Sequence, residues 1–295
     1  MKDSKFFKCE KINEGTTLII GPGKVYCYLL EGENKALLID TLGGIGNIAE
    51  YCKELTDLPI IVANTHGHFD HVAGNFVFEE VYIHPEDVDM MYKMSTVEAR
   101  EDYVRNQQIK FNEPMEWNAS DVAEVRPIHC IPIKDGFKFD LGGRNVEVIE
   151  TQGHTRGSVC FLDKEHRQLF AGDSCNTNTI IFTIPDQTVA TSVEEYLSSL
   201  QRLKKHLDSF DTYYVSHGIT PIDKSCINDA IECCEQIMAG TDDAEPGIFL
   251  GQYPCLYAKK ISRTKEGFTN RLDGRIGNIA YSKDNIFMKR IEKHE

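Results

Sequence analysis

The stretch that decides the fold is "NTHGHFDHVAGN", residues 64–75, which follows a short apolar run and holds three histidines and one aspartate within six positions. His66 and His68 are two residues apart, so an extended chain points both side chains to the same side. Asp70 and His71 follow where the chain enters a new turn or helix. Four ligand-type side chains at the exit of a strand predict a metal site, and one such loop can serve two neighbouring ions.

Three more ligand-type side chains occupy equivalent places further along the chain. His154, Asp173 and His217 each follow an apolar run that reads as a strand, and each has a glycine beside it. Taken singly they are ordinary, because a lone histidine is often a surface or core residue and Asp-Gly pairs are typical of turns. Together with the first loop they supply five imidazoles and two carboxylates. That donor set suits zinc, iron or manganese, and two ions need about that many ligands.

The order HxHxDH, Gly-His, Asp and a late His resembles the metallo-β-lactamase-fold hydrolases. The match runs from about residue 12 to residue 220, and "LLIDTL" at residues 37–42 is similar to the family's strand that leads to an aspartate behind the site, here Asp40. The resemblance implies an α/β protein with the four-layer αββα sandwich of that fold. We expect it to carry a helical insert and a small C-terminal extension.

The resemblance also assigns all seven side chains to two neighbouring metal sites. The first ion would be held by His66, His68 and His154. The second ion would be held by Asp70, His71 and His217. Asp173 would bridge the two ions, and Asp40 would orient a ligand from behind. The expected cofactor is a pair of divalent ions, zinc in the first place, with iron or manganese as alternatives. A hydroxide between the ions would be the nucleophile, and Asp70 and Asp173 would be the catalytic carboxylates.

Hydrophobic periodicity and turn residues give the expected elements. Strands are predicted at residues 17–20, 25–30, 36–40, 59–64, 81–83, 128–133, 137–140, 146–150, 158–162, 168–171 and 212–215. Helices are predicted at residues 45–55, 193–207 and 222–238, with a further one starting at Pro85. Strands then a helix, twice over, suggest two similar halves facing each other.

The same pattern divides the chain into two regions. Residues 1–240 are predicted to form the catalytic domain, interrupted at about 86–127 by a helical insert rich in Met, Glu, Gln and Arg. Residues 241–247 read as a linker, and the region 241–295 as a whole is expected to be a linker and an extension packed on the core.

Composition narrows the class of protein. The formal charge of −14 disfavours a nucleic-acid surface and suits an enzyme of small molecules. The ten cysteines include no CxxC pair, so reduced and buried thiols are expected. No apolar run approaches the roughly 18 residues that a membrane helix needs, so we expect a cytoplasmic protein without a membrane partner. The composition leaves open whether the protein forms a homodimer.

Substrate contacts are harder to predict. Arg156, two residues after His154, is a candidate clamp for a carboxylate or phosphate or else an exposed loop residue. Asn176 and Asn178 lie in a stretch that suits a pocket wall or an ordinary loop. The Met and aromatic residues of the insert either cover the metals as a lid or belong to the core.

The leading hypothesis is a binuclear hydrolase of a small ester, thioester, lactone or phosphodiester. Glyoxalase II is the branch to test, although the Asn-Pro-Phe segment that helps its members recognise glutathione is missing here. The alternative is redox chemistry, as in the mono-iron sulfur dioxygenases of the same fold. A metal-binding scaffold without turnover is disfavoured because all seven ligand positions are filled.

Overall fold

Strands that are buried on both faces form the centre of the larger of two facing sheets. The computed structural model describes residues 3–184, 189–249, 251–263 and 269–288. Seven strands form the first sheet in chain order: β1 (Lys8–Asn13), β2 (Thr16–Ile20), β3 (Tyr26–Glu31), β4 (Ala36–Ile39), β5 (Ile60–Ala63), β6 (Glu80–Ile83) and β7 (His129–Pro132). The first four pair antiparallel, and β4 to β7 run parallel. Parallel strands end at one edge, so β4 and β5 deliver their following loops to the same place.

The second sheet comes from the later half of the chain. Its strands are β8 (Lys138–Asp140), β9 (Asn145–Glu150), β10 (Val159–Asp163), β11 (Gln168–Phe170) and, after β12 (Thr179–Ile181), β13 (Thr212–Tyr214). They lie in the order β13-β11-β10-β9-β8. β10 is antiparallel to both β9 and β11, and β13 is parallel to β11. β9, β11 and β13 therefore point the same way, and the loops that follow them leave from one edge.

The two sheets pack face to face, and helices cover their outer faces. Leu30 and Leu37 point into the core between the sheets with Phe161 and Phe170 of the second sheet. Their neighbours along the strands point the other way and pack under helices, as the period of two requires. The four-layer αββα sandwich expected from the sequence is confirmed.

The described residues form six α-helices, and several of them have clear end signals. They are α1 (Ile48–Lys53), α2 (Phe69–Val72), α3 (Val88–Met94), α4 (Val97–Phe111), α5 (Val193–Lys204) and α6 (Ser225–Ala239). Ser192 and Glu195 form a capping box at the start of α5, and Gly240 ends α6 in the left-handed conformation. α1 is shorter than the predicted helix 45–55, because Asn47 caps it at a later residue. Pro85 opens a short 3-10 turn that leads into α3 rather than an α-helix itself.

The region after α6 differs from its prediction. Residues 245–247, expected to be part of a linker, belong to β14 (Glu245–Phe249), which forms a hairpin with β15 (Tyr253–Tyr257). Two further strands, β16 (Ile261–Arg263) and β17 (Thr269–Arg271), pair with each other. β18 (Ile279–Tyr281) then joins a third sheet in the order β12-β18-β15-β14. The linker prediction was therefore wrong for these residues. The predicted tail beyond residue 288 lies outside the described residues.

β1 was not predicted either, because it lies at the edge of the sheet and most of its residues are polar and exposed. Within the range 86–127, α3 and α4 are followed by a stretch that is irregular apart from the 3-10 turn Ala119–Asp121. Among the described residues, no helix is long and apolar enough to cross a membrane.

Candidate metal centre

The loop after β5 is fixed by a carboxylate from the neighbouring strand end. Asp40, directly after β4, accepts hydrogen bonds from the backbone N–H and the hydroxyl of Thr65, each at 2.8 Å. β4 and β5 are parallel neighbours, so their ends lie side by side. The chain then turns into α2 at His68. Asp40 thus holds the start of the loop before its histidines point inward.

Three imidazoles from two loops form the first cluster. Nδ1 of His68 lies 3.0 Å from Nε2 of His66 and 3.0 Å from Nε2 of His154. Two ligands of a tetrahedral ion, each roughly 2.0–2.1 Å from it, are about 3.3 Å apart. The observed spacing is close to this value. The donor atoms of all three side chains lie within 4.8 Å of one another, so they fit one metal ion.

A second cluster adjoins the first. Nε2 of His217 lies 3.1 Å from Nε2 of His71 and 3.3 Å from Oδ2 of Asp70. Oδ2 of Asp173 is 3.4 Å from Nε2 of His217 and 3.6 Å from Nε2 of His71. It is also 3.8 Å from Nε2 of His154, a member of the first cluster. Asp173 therefore stands between the two groups.

The chemistry of the donors supports a metal as well. Oδ1 of Asp173 is buried and has no hydrogen-bond partner among the described residues. An unpaired buried carboxylate oxygen is costly, and a bound cation would satisfy it. The fit therefore rests on donor type, on spacing and on this orphaned atom.

Outer partners orient the rings so that one nitrogen of each faces the cluster. Nδ1 of His71 contacts Oδ2 of Asp40 at 3.0 Å, and Nδ1 of His154 contacts the carbonyl of Ile180 at 3.1 Å. Nδ1 of His66 contacts the Thr65 hydroxyl at 3.0 Å. Each Nδ1–H donates outward, and Nε2 is left with a lone pair directed inward.

The two clusters differ in charge. Burial, followed by the charge of His154, lowers the pKa of His68 to about 3, and burial also lowers the pKa of His66 well below its ordinary value. Burial on its own would lower the pKa of His217 too, but Asp173 and then Asp70 raise it to about 9. The first cluster thus consists of neutral imidazoles in their ligand form. In the second, Asp173 and Asp70 favour a proton on His217, and a cation that binds there would displace that proton.

A buried carboxylate that sequence analysis missed ties the loops of the first cluster together. Asp87 accepts hydrogen bonds from the backbone N–H groups of Gly67 and Gly157, each at 2.8 Å, and from the Thr155 hydroxyl at 2.7 Å. A Cβ on either glycine would lie 2.6 Å or less from an atom of Asp87. No local pattern marks this residue, because its partners are 20, 68 and 70 residues away.

The clusters lie at one side of a cavity of about 500 Å³. The residues of both clusters that line it are His68, Asp70, His154, Asp173 and His217. The insert contributes Met94, Tyr103, Gln107, Lys110 and Phe111, and the third sheet with its neighbours contributes Ile180, Ile184, Ile248, Phe249, Gly251, Tyr257 and Arg263. The helical insert and the third sheet therefore form walls of the cavity that the two clusters also line.

Two of the three candidate substrate-contact residues line the cavity, and the third does not. Asn176 and Asn178 both line the cavity, and Oδ1 of Asn178 is buried without a hydrogen-bond partner among the described residues. Arg156 is not among the lining residues. Its guanidinium is half exposed and lies 3.7 Å from Glu195 at the start of α5, which draws it away from the clusters. The structure therefore does not bring Arg156 to the cavity.

Comparison with known proteins gives a family and several relatives. The sequence model described as the metallo-beta-lactamase superfamily matches residues 20–209. An acyl-coenzyme A thioesterase of Gallus gallus is 29% identical over 192 residues, which cover 61% of this chain and 67% of the relative. A probable polyketide biosynthesis zinc-dependent hydrolase of Bacillus subtilis (strain 168) is 26% identical over 195 residues, covering 65% and 72%.

Solved structures agree on the fold. A metallo-beta-lactamase family protein from Thermus thermophilus has a TM-score of 0.54 and 22% identity, and covers 80% of this chain and 85% of its own. A metallo-beta-lactamase from Pontibacter korlensis also has a TM-score of 0.54, with 15% identity and coverage of 77% and 97%. At these identities the likeness concerns the fold alone.

Proposed function

The chain belongs to the metallo-β-lactamase superfamily and is a metal-dependent hydrolase, and from this premise we propose that it hydrolyses acyl thioesters of a small carrier thiol. The observation that carries the proposal is the convergence of seven His and Asp side chains beside a cavity with one largely apolar wall. The likeness to acyl-coenzyme A thioesterases supports the choice of thioesters. The glyoxalase II branch has no specific support among these relatives.

Two ions are proposed, in the places described above. His66, His68 and His154 would hold the first, and Asp70, His71 and His217 the second. Asp173 would contact both, because its Oδ2 faces both clusters. Divalent cations held there would lower the pKa of a water molecule towards neutrality and polarise a substrate carbonyl. Zinc is the metal named in the description of the Bacillus subtilis relative, and we propose it here.

The protein's own groups would position the reactants. Asp70 and Asp173 are the carboxylates nearest to His217, so they can orient a water molecule and accept its proton. Asp40 keeps the His71 ring from turning by accepting its Nδ1–H. Asn178, whose amide oxygen is unpaired among the described residues, can accept a hydrogen bond from an N–H of the substrate.

The cavity walls suit a thioester with an apolar acyl group. Ile180, Ile248 and Phe249 offer an apolar surface on one side, whereas Asn176 and Thr177 offer polar groups next to the clusters. A sulfur leaving group also suits the site, because a thiol has a pKa of about 8.5 and departs with less need of a proton than an alkoxide. Hydrolysis would release a carboxylic acid and the free thiol.

The test compares substrates on protein purified without chelator. Release of acid or thiol is followed for one acyl group presented as thioester, oxygen ester and lactone, together with a phosphodiester. We expect kcat/KM for the thioester to exceed that for the matched oxygen ester by tenfold or more. Hydrolysis of the phosphodiester alone would contradict the proposal. Oxygen uptake with glutathione persulfide, without thioester hydrolysis, would also contradict the proposal. A mono-iron dioxygenase would give that result.

A further inference from the structure

Three cations on the cavity wall take no part in the chemistry described so far. Lys24 lies on the loop between β2 and β3, Lys110 on the last turn of α4, and Arg263 at the end of β16. All three line the cavity that holds the clusters. They come from three separate parts of the chain, so only the fold brings them to one surface.

Two of the three charges lie close to one aromatic ring. Nζ of Lys24 is 4.3 Å and Nζ of Lys110 is 5.0 Å from the centre of the Phe111 ring. Burial, and after it the charge of Arg263, lowers the pKa of Lys110, and both side chains line the same cavity. Like charges that line one cavity repel, and an anion with several negative charges would relieve that repulsion.

Existing contacts leave room for such an anion. Lys24 lies 3.2 Å from Glu113, but both side chains are exposed, and an exposed ion pair contributes little. Arg263 donates to the Tyr257 hydroxyl at 3.2 Å, which holds the guanidinium against the wall while its remaining N–H groups can bind another acceptor. Lys24 and Arg263 can therefore receive a ligand without loss of a strong interaction.

The three cations make this surface positively charged, whereas the protein as a whole is negatively charged. The whole chain carries a formal charge of −14. Charges further away than about 8 Å are largely screened at physiological ionic strength, so a ligand in the cavity responds to these three cations rather than to the average. The metal ligands Asp70 and Asp173 line the same cavity, and the proposed metal ions would offset their negative charges.

We propose that Lys24, Lys110 and Arg263 form a subsite for the phosphate groups of a nucleotide-bearing carrier thiol of the coenzyme A type. This inference rests on the proposed thioesterase function, because the carrier is the part of the thioester that leaves with the sulfur. The acyl group lies along the apolar wall and the phosphates lie among the cations. Recognition of the carrier is thereby separated from recognition of the acid.

The first test measures a ratio of rates. For wild type, Lys110→Ala and Arg263→Gln, kcat/KM is determined for an acyl-coenzyme A and for the same acyl group on uncharged N-acetylcysteamine. We expect the ratio of the two values to fall about tenfold in each variant, since a charged hydrogen bond to phosphate is lost. Lys35→Ala, an exposed lysine outside the cavity, is the matched control and should keep the wild-type ratio. Equal losses on both substrates would overturn the inference. A preference for the S-acyl glutathione over the acyl-coenzyme A would overturn it too, because carboxylates would then be the recognised group.

The second test does not depend on turnover. Binding of free coenzyme A to the metal-loaded protein is measured by calorimetry at low and at high salt. We expect binding that weakens with salt and is about tenfold weaker in Lys110→Ala than in Lys35→Ala. If coenzyme A fails to bind, or binds both variants equally, the subsite is wrong even where thioesters are hydrolysed. If it binds as expected and no thioester is hydrolysed, the subsite stands and the proposed reaction fails.

Discussion

The metal-binding edge of the sandwich and the outer wall of the cavity are built in different ways. Every proposed ligand follows a core strand or sits on the short helix after one, and outer partners such as Asp40 and Asp87 hold the loops through hydrogen bonds. The outer wall is formed by α4 and by the β14–β15 hairpin, which pack against the sandwich from outside. We propose that the loops after the core strands provide the reaction and that the additions to the sandwich select the substrate.

The largest effect is expected when a metal-ligand side chain is removed. His66→Ala and Asp173→Ala should each reduce kcat/KM by more than about 100-fold, the upper range for loss of an outer partner of a metal ligand. The fold should persist, because the cores between and outside the sheets are untouched. Thioesterase kinetics together with circular dichroism measure both properties.

The matched control for that experiment is His129→Ala. This histidine lies on β7 and is largely exposed, away from the clusters. Its replacement should leave turnover within about twofold of wild type, as expected for a surface substitution. Near-normal activity in either ligand variant, with the metal content unchanged, would show that the assigned roles are wrong.

A smaller effect is expected from Asp87, which positions the loops without facing the substrate. Asp87→Asn keeps the size of the side chain but replaces one acceptor oxygen with an NH₂ group that faces backbone donors. We expect metal affinity to fall by about 10–100-fold, with kcat recovering when the metal is added in excess. Titration with zinc, followed by activity, measures this.

Two results would show that Asp87 acts otherwise. An unchanged zinc affinity would mean that the loops keep their place without this carboxylate. A loss of kcat that excess zinc does not restore would place Asp87 in the reaction rather than in the support of the loops.

The smallest effect is expected on the outer wall, and it should change selectivity rather than rate. Phe249→Ala enlarges the apolar side of the cavity next to Ile248. The ratio of kcat/KM for a long acyl chain to that for a short one should rise by about fivefold, corresponding to roughly 1 kcal/mol. A series of acyl chain lengths measures the ratio.

Phe287→Ala is the control for that series, since this phenylalanine is exposed and does not line the cavity. An equal loss of activity on all chain lengths in Phe249→Ala would break the division between reaction and selection. The wall would then be part of the catalytic machinery or of the fold itself.

The metal-binding edge could be predicted from the sequence because its information is local. His66, His68, Asp70 and His71 fall in one loop, and the other three ligands each follow a recognisable strand. The parallel direction of β9, β11 and β13 brings those strand ends together. The strand endings made these residues candidates, and the resemblance to the family's motif order assigned all seven to one site.

The outer wall could not be predicted in the same way. The hairpin contains Pro246 and Pro254, and proline normally interrupts a ladder of hydrogen bonds, so its sequence does not match the pattern of paired strands. β14 is an edge strand, and the pairing of β15 with β18 is confined to Leu256 and Tyr257, so both prolines are tolerated. The turn at Gly251, between two apolar runs, was the available signal. No sequence signal pointed to Asp87, because its hydrogen-bond partners are distant in sequence.

The most direct test of the central claim, that seven side chains bind a pair of divalent ions, is the metal content of the protein purified without chelator. Elemental analysis should find about two zinc ions, or two ions in total, per chain, and His217→Ala should retain about one. A single iron per chain in the wild type, unchanged in His217→Ala, would contradict the account.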